Sequence, residues 1–194
     1  MILIPFIQVV LMSIVIGGDP KGLNIAVINH EVGTSQECLN LSLLMPQSAN
    51  DTCHQEKISC RFLNEIRDEH MTKFYYKSTE EALKDAKRLK LVAIIEFDSN
   101  FSNTSNFLIN YPQEANEVDP SFLKSSQIDI QLDVADMVVA LFVKKELYLS
   151  YRNFSEKLME SCGLAKTLRN LPMSIEMVHQ VDMREYQAPG MIIM

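Results

Sequence analysis

The side chains whose chemistry is easiest to foresee in this 194-residue chain are four cysteines, at Cys38, Cys53, Cys60 and Cys162. In an oxidising compartment an even number of cysteines predicts two disulfides, with three pairings open. A zinc site is the first alternative, but it usually brings a C-x₂-C pair, and the chain has none. Free buried thiols are the second alternative, which a reducing compartment would favour. The compartment therefore decides between these interpretations.

Asparagine sequons indicate that compartment. The sequence N-x-[ST] without proline occurs at Asn40, Asn50, Asn100, Asn103 and Asn153. A chain of this composition is expected to contain about one or two such matches by chance, so five are an excess. Asn100 and Asn103 lie so close together that a glycan on one hinders modification of the other. The sequons predict a luminal or extracellular middle of the chain, which favours disulfides over the other two interpretations.

Catalytic and ligand-binding patterns are absent from the sequence. The histidines His30, His54, His70 and His179 are scattered singly, without metal-ligand spacing. The Gly-rich stretch at 17–22 precedes a strand-like run and lacks the G-x-x-x-x-G-K-[ST] spacing, so it predicts a turn. No zinc-protease, nucleophile-elbow or dinucleotide motif occurs. We therefore expect no catalytic, cofactor-binding or metal-binding residue in this chain, and no enzyme activity of its own.

Composition and charge exclude two classes of partner. With 47% hydrophobic and 22% charged residues, the chain has the composition of one globular domain with a core. Its net charge of −7 argues against nucleic-acid binding, which needs a basic face. The same charge disfavours electrostatic docking on an anionic membrane surface.

Alternating strand and helix patterns predict an α/β domain, in which a few strands are flanked by helices and one helix is long. Short apolar or β-branched runs indicate the strands, at 23–29, 71–76, 91–97, 107–111 and 173–178. The run at 91–97 is almost entirely apolar and predicts a strand buried on both faces.

The clearest helix is predicted at 78–90, where Ser78 and Glu81 form a capping box before an apolar stripe. A short helix is predicted at 61–69. A long helical pattern covers 125–159, but its opening at 128–133 alternates like a strand, and periodicity alone leaves that start open. The stretch 137–143 is apolar nearly all round, so this part of the long helix is expected to be buried.

The two ends of the chain resemble membrane sequence. Residues 1–17 carry an uncharged apolar run, which we interpret as the C-terminal part of a transmembrane helix. A signal peptide and a buried core helix are the alternatives, and the lack of a basic start weighs against the first. Residues 18–185 then form an extracytoplasmic α/β domain with a Cys-containing insertion at 33–60. Residues 186–194 would begin the next transmembrane helix.

Three segments together resemble a known family. The stretch DPKGLNIAVINHE at 19–31 resembles the strand after the first membrane helix of ABC-2-type ABC transporter permeases. The stretch at 78–102 is similar to their helix-then-strand unit, and YQAPGMIIM at 186–194 is similar to the approach to their second membrane helix. The insertion at 33–60 looks like that of animal G/H-subfamily half transporters, closest to the arthropod G-family-member-23-like group. The chain would span the extracellular domain between their first two membrane helices.

The resemblance implies the extracellular portion of an ATP-driven exporter of lipids or other hydrophobic compounds. ATP and Mg²⁺ would bind only in a nucleotide-binding domain that this chain lacks, so no cofactor is expected here. The implied partners are a second half transporter in a homo- or heterodimer, the chain's own nucleotide-binding domain and remaining membrane helices, and membrane lipids. The resemblance also implies that the protein crosses the plasma membrane several times. The alternative is a secreted or singly anchored glycoprotein domain that binds a ligand.

Overall fold

The computed structural model of the chain describes residues 20–32, 38, 55–111 and 118–162, and the backbone of 173–178. The predicted membrane segments at 1–17 and 186–194 lie outside these residues. Within the described part of the chain, no helix combines the length and the apolar character that crossing a membrane requires.

The described elements alternate between strands and helices, which confirms the predicted α/β class. The strands are β1 Leu23–Asn29, β2 Met71–Tyr76, β3 Leu91–Phe97, β4 Ile128–Asp133 and β5 Met173–Val178. The helices are α1 Ile58–Glu65, α2 Thr79–Leu89, α3 Phe101–Asn110, α4 Pro120–Ser125 and α5 Met137–Ser161.

The strands form one mixed sheet in the order β2-β1-β3-β4-β5. β1 pairs in parallel with both β2 and β3, and β4 pairs in parallel with β5. The junction between β3 and β4 is antiparallel, with Ile95 opposite Ile130. The carboxyl ends of β1, β2 and β3 therefore meet at one edge of the sheet.

Strand order determines which face each helix covers. The chain leaves β1 for β2 on one side and then crosses back over β1 to reach β3 on the other side. Because parallel crossovers are right-handed, these two connections must lie on opposite faces. Accordingly, α1 packs with Ile25 and Val27 of β1, whereas Ala82 of α2 packs with Ala26 and Ile28. All four of these β1 side chains are fully buried.

The larger core lies between the sheet and the layer of α1, α3 and α5. Phe62 of α1 is at its centre and is fully buried. Its ring packs edge-to-face on Phe97, at a centroid distance of 6.1 Å, and on Phe154, at 5.7 Å. Such arrangements add to the burial of apolar area, so one side chain ties β3 and α5 to α1.

The structure confirms the capped helix that the sequence predicts at 78–90. The Ser78 hydroxyl accepts a hydrogen bond from the Glu81 amide at 3.3 Å. The Glu81 carboxylate reaches back to the Lys77 amide at 3.2 Å, one residue before the position that a capping box predicts. The strand that follows is buried on both sides, as expected from its composition.

The strand predicted at 107–111 is wrong, because residues 101–110 form α3. Phe101, Ser105 and Ile109 are buried at four-residue spacing, which is the period of a helix and not of a strand. Phe107 contacts Tyr111 across one further turn, at a ring-centroid distance of 5.3 Å. A short run of apolar residues at the end of a polar segment does not reveal this period.

Two other predicted bounds change. The short helix predicted at 61–69 begins and ends earlier, as Ile58–Glu65. The stretch 128–133, whose state periodicity leaves open, forms the strand β4. Its alternate residues Ile128, Ile130 and Leu132 are buried. Asp136 then caps α5, and its carboxylate accepts from the amides of Val138 and Val139.

Phe62→Ala is expected to destabilise the chain by about 3–5 kcal/mol, because it removes a fully buried ring from the junction of three elements. Leu83→Ala is the control, since Leu83 is 44% exposed on α2 and its removal should cost about 0.5 kcal/mol or less. Urea unfolding followed by circular dichroism measures both variants. Equal shifts of the midpoint would contradict the proposed centre of the core.

Candidate functional site

The histidines do not converge in the described structure. His30 is half-exposed, and its Nε2 lies 3.1 Å from Glu96 Oε1. His70 is buried, with its ring against Phe142 at a centroid distance of 5.6 Å. His54 and His179 lie outside the described residues. Among the described residues no group of three or more His, Cys, Asp or Glu side chains is arranged to hold a metal ion.

A disulfide joins Cys38 to Cys60, across a sequence separation of 22 residues. Both cysteines are buried, and they pack with Val32, which follows β1. The bond therefore attaches Cys38 to the first turn of α1. Cys162 is also disulfide-bonded, and Cys53 lies outside the described residues.

A polar junction of four side chains lies at the carboxyl end of β1. It consists of Asn29, Glu31, Ser59 and Ser102. The Glu31 carboxylate accepts from the Ser59 hydroxyl at 2.6 Å and from the Ser102 amide at 3.3 Å. Ser59 lies in the first turn of α1 and Ser102 in the first turn of α3. One carboxylate therefore meets the starts of two helices, where amide groups lack partners within the helix and negative charge is favoured.

The other members of the polar junction complete the hydrogen bonds. The Asn29 side-chain oxygen accepts from the amides of Glu31 and Val32, which fixes the turn after β1. Its amide nitrogen donates to the Ser59 hydroxyl at 3.0 Å. The Ser102 hydroxyl accepts from the Ile58 amide at 2.6 Å, so α3 in turn caps α1.

Gln55, just before α1, is held by hydrogen bonds to α3 and α5. The Gln55 amide donates to the Asn106 side-chain oxygen at 2.9 Å, and the Asn106 amide nitrogen donates to the Gln55 carbonyl at 2.8 Å. Gln55 Nε2 also donates to the Ser161 hydroxyl at 3.3 Å. These bonds place residue 55 beside the end of α5, next to Cys162.

This edge of the sheet is the place where doubly wound α/β proteins bind anionic ligands, outside the carboxyl ends of strands whose connections diverge. Here the chain's own groups occupy it. Glu31 meets α1 and α3, and on the opposite face Glu96 accepts from Thr79, in the first turn of α2, at 2.8 Å. The polar junction is therefore suited to holding the fold together and not to binding an external anion.

The long helix shows the largest departure from expectation. The sequence predicts that 137–143 is buried, but Met137 is 53%, Val138 75% and Leu141 52% exposed. Tyr148, further along the same side, is 56% exposed. The prediction is wrong for these residues and holds for Ala140 and Val143, because the domain covers only one side of α5. We call these four residues the α5 apolar face.

The opposite side of α5 is firmly held. Val143, Leu147 and Phe154 belong to the core. Burial raises the pKa of Tyr151 to about 12. Glu146 is buried and forms an ion pair with Arg67, while Lys157 Nζ binds both oxygens of Glu65 at 2.7 and 2.8 Å. The orientation of the helix, and so the exposure of the α5 apolar face, is fixed by contacts along its length.

The structure exposes every sequon asparagine that it describes, namely Asn100, Asn103 and Asn153. Asn40 and Asn50 lie outside the described residues. The hydroxyl residues of the same sequons, Ser102, Ser105 and Ser155, are buried in helices. An enzyme that reads both residues of a sequon must therefore act before α3 and α5 have formed.

Sequence reasoning missed the polar junction and the α5 apolar face. The signal for the first was present, since Asn29 and Glu31 stand directly at the end of a buried strand, where parallel strands gather polar groups. The second had no signal in the sequence, because an apolar stretch does not reveal which of its sides the fold leaves uncovered.

The fold and these surfaces define an α/β domain with a mixed sheet and a disulfide between Cys38 and Cys60. No protein-family profile matches the chain, and no solved structure matches it. The chain is similar to ABC transporter G family member 20 of Dictyostelium discoideum, with 24% identity over 159 residues. The match covers 80% of this chain and 17% of that protein. The similarity supports a relationship to G-family ABC transporters in general, without singling out the arthropod group.

Glu31→Ala is expected to destabilise the chain by about 1–3 kcal/mol, because it leaves part-buried donors at two helix starts without their acceptor. Glu80→Ala is the matched control, since Glu80 also lies in the first turn of a helix, α2, but is exposed. Chemical unfolding measures the difference. A Glu31→Ala variant as stable as the control would show that the carboxylate does not hold the helices together.

Proposed function

We propose that this chain is the extracytoplasmic domain of an ATP-driven exporter of the ABC type, a half transporter related to the G/H subfamilies. The observation that carries the proposal is the similarity to an ABC transporter of the G family along 80% of the chain. Because the match corresponds to 17% of that protein, the ATP- and Mg²⁺-binding domain and the remaining membrane helices would belong to other parts of the polypeptide.

Two features of the described residues support an extracytoplasmic position. The Cys38–Cys60 disulfide would persist in an oxidising compartment and is rare in the cytosol. The exposed asparagines of three sequons are available to carry glycans on the surface of the folded domain. The carboxylates of Glu31 and Glu96 at the carboxyl ends of the strands support a structural role for the domain.

In the proposed mechanism, other parts of the polypeptide drive transport. ATP hydrolysis would drive the membrane helices, and this domain would stand at the external mouth of the pathway, where it meets the released substrate or the second half transporter. Lipids or other hydrophobic compounds are the proposed substrate class, which rests on the family resemblance alone. The proposed location is the plasma membrane, as part of a multi-pass protein.

Peptide mapping of the protein, isolated from its native cells with an antibody against this chain, tests the ABC relationship. We expect peptides that contain G-x-x-x-x-G-K-[ST], the phosphate-binding loop of an ATPase, covalently continuous with this chain. A polypeptide that consists of this domain with no more than a single anchor would contradict the proposal. That result would favour a secreted or singly anchored glycoprotein instead.

Asn153→Gln is expected to remove one glycan from the protein expressed in cells, because Asn153 is exposed and heads a sequon. The readout is its electrophoretic mobility before and after treatment with an N-glycosidase. Asn64→Gln is the matched control, since Asn64 is equally exposed on α1 but is not part of a sequon. A protein whose mobility the glycosidase leaves unchanged in every variant would contradict the extracytoplasmic position.

A further inference from the structure

The sheet brings the start of its first strand and the end of its last strand to the same edge. β1 is parallel to β3, β3 is antiparallel to β4, and β4 is parallel to β5, so β5 runs opposite to β1. One row across the sheet contains Ile25, Ala93, Leu132 and Met177. Three strand spacings separate β1 from β5, which is about 14 Å. The chain therefore leaves the sheet close to the place where it enters.

We call this side of the sheet the entry edge, and the opposite side, which carries the polar junction, the far edge. The entry edge is formed by the starts of β1, β2 and β3 and the ends of β4 and β5, at Leu23, Met71, Leu91, Asp133 and Val178. Helix α5 runs from the entry edge to the far edge. Near its start Phe142 contacts His70, which precedes β2. At its end Ser161 accepts a hydrogen bond from Gln55, which precedes α1.

We infer that the entry edge faces the membrane and that the far edge, with the polar junction, points away from it. This orientation rests on the proposed function, in which residues 1–17 and 186–194 belong to two membrane helices. Neighbouring helices pack about 8–10 Å apart, so short links join them to strands that lie about 14 Å apart. A substrate that leaves the membrane would meet the entry edge before any other part of the domain.

The length of the first link argues against the inverted orientation. Residues 18–22 connect the predicted membrane helix to Leu23, the first residue of β1. Five residues reach at most about 17 Å when fully extended, whereas the seven residues of β1 extend about 20 Å. With the far edge on the membrane, the start of β1 would stand at least one strand length above the surface. The link is too short to reach it there.

The two faces of the sheet argue against a domain that lies flat on the membrane. The layer of α1, α3 and α5 exposes Asn103 and Asn153, whose glycans need aqueous space. On the other face, α2 exposes the charged side chains Glu80, Glu81, Lys84 and Arg88. A helix that lies on a bilayer instead presents an apolar face to it. In the upright orientation the sequons lie away from the membrane, since Asn100 follows β3 at the far edge and Asn153 lies about 24 Å along α5 from its start.

Energy transfer from the domain to the lipid surface tests the orientation. Cysteine variants of the full polypeptide are labelled in intact cells with a membrane-impermeant fluorescent maleimide, then purified and reconstituted into phosphatidylcholine vesicles with an acceptor dye on the headgroups. Lys90→Cys and Ala135→Cys lie at the entry edge, and Ser99→Cys and Lys124→Cys lie at the far edge, all at exposed positions. Because β3 or β4 separates the sites of each pair by about 20 Å, we expect roughly two-fold more transfer or greater at the entry edge. The entry-edge site precedes β3 but follows β4, so distance along the sequence cannot produce this result.

Two results would overturn the orientation and leave the proposed function standing. Greater transfer at Ser99 and Lys124 would mean that the domain is inverted, and equal transfer within both pairs would mean that it lies flat. If no site reacts with the impermeant label in intact cells, although all react after purification, the extracytoplasmic position is contradicted together with the orientation. Peptide mapping without reduction confirms that each variant keeps the Cys38–Cys60 disulfide. A variant that loses it is replaced by Glu69→Cys or Lys77→Cys, which flank β2 at the entry edge and the far edge and are also exposed.

Discussion

The burial of β1 on both faces is the constraint from which most of this architecture follows. Ile25, Ala26, Val27 and Ile28 are all fully buried, so the strand must lie inside the sheet with a helical layer on each side. Since it pairs in parallel with both neighbours, right-handed crossovers must send α1 and α2 to opposite faces. The same parallel pairing brings the starts of α1, α2 and α3 to one edge of the sheet.

At the carboxyl ends of these strands, the chain's own side chains compensate the partial positive charge of the helix starts. Several helix starts together concentrate unpaired amides and partial positive charge. Glu31 meets α1 and α3 on one face, and Glu96 meets Thr79 at the start of α2 on the other. In a doubly wound enzyme a phosphate-bearing ligand often does this work. Here the carboxylates of the chain itself take that place, and the Cys38–Cys60 disulfide lies beside Val32, just after β1.

The sequence predicts what depends on local pattern and fails where tertiary geometry decides. The bounds of β1, β2, β3 and β5 are predicted as the structure has them, because β-branched runs and turn residues delimit them. Residues 107–111 are predicted as a strand, because the four-residue spacing of Phe101, Ser105 and Ile109 begins in a segment that reads as a polar turn. In the candidate site, the cysteines and sequons are visible from residue type alone. The polar junction depends on Ser59 and Ser102 meeting Glu31 from distant parts of the chain, and no local pattern contains that meeting.

The exposed side of α5 follows from the position of the helix on the outside of the domain. The 25-residue helix packs against β3, β4 and α1 along one side only. Apolar residues on both sides of α5 therefore meet a core on one side only. Met137, Val138 and Leu141 remain outside, next to the Asp136 cap, which the core cannot cover without burying a carboxylate. Because the buried Glu146 is paired with Arg67 on the opposite side, the helix cannot rotate to hide these residues. Their exposure is therefore a consequence of how the rest of the domain packs on α5.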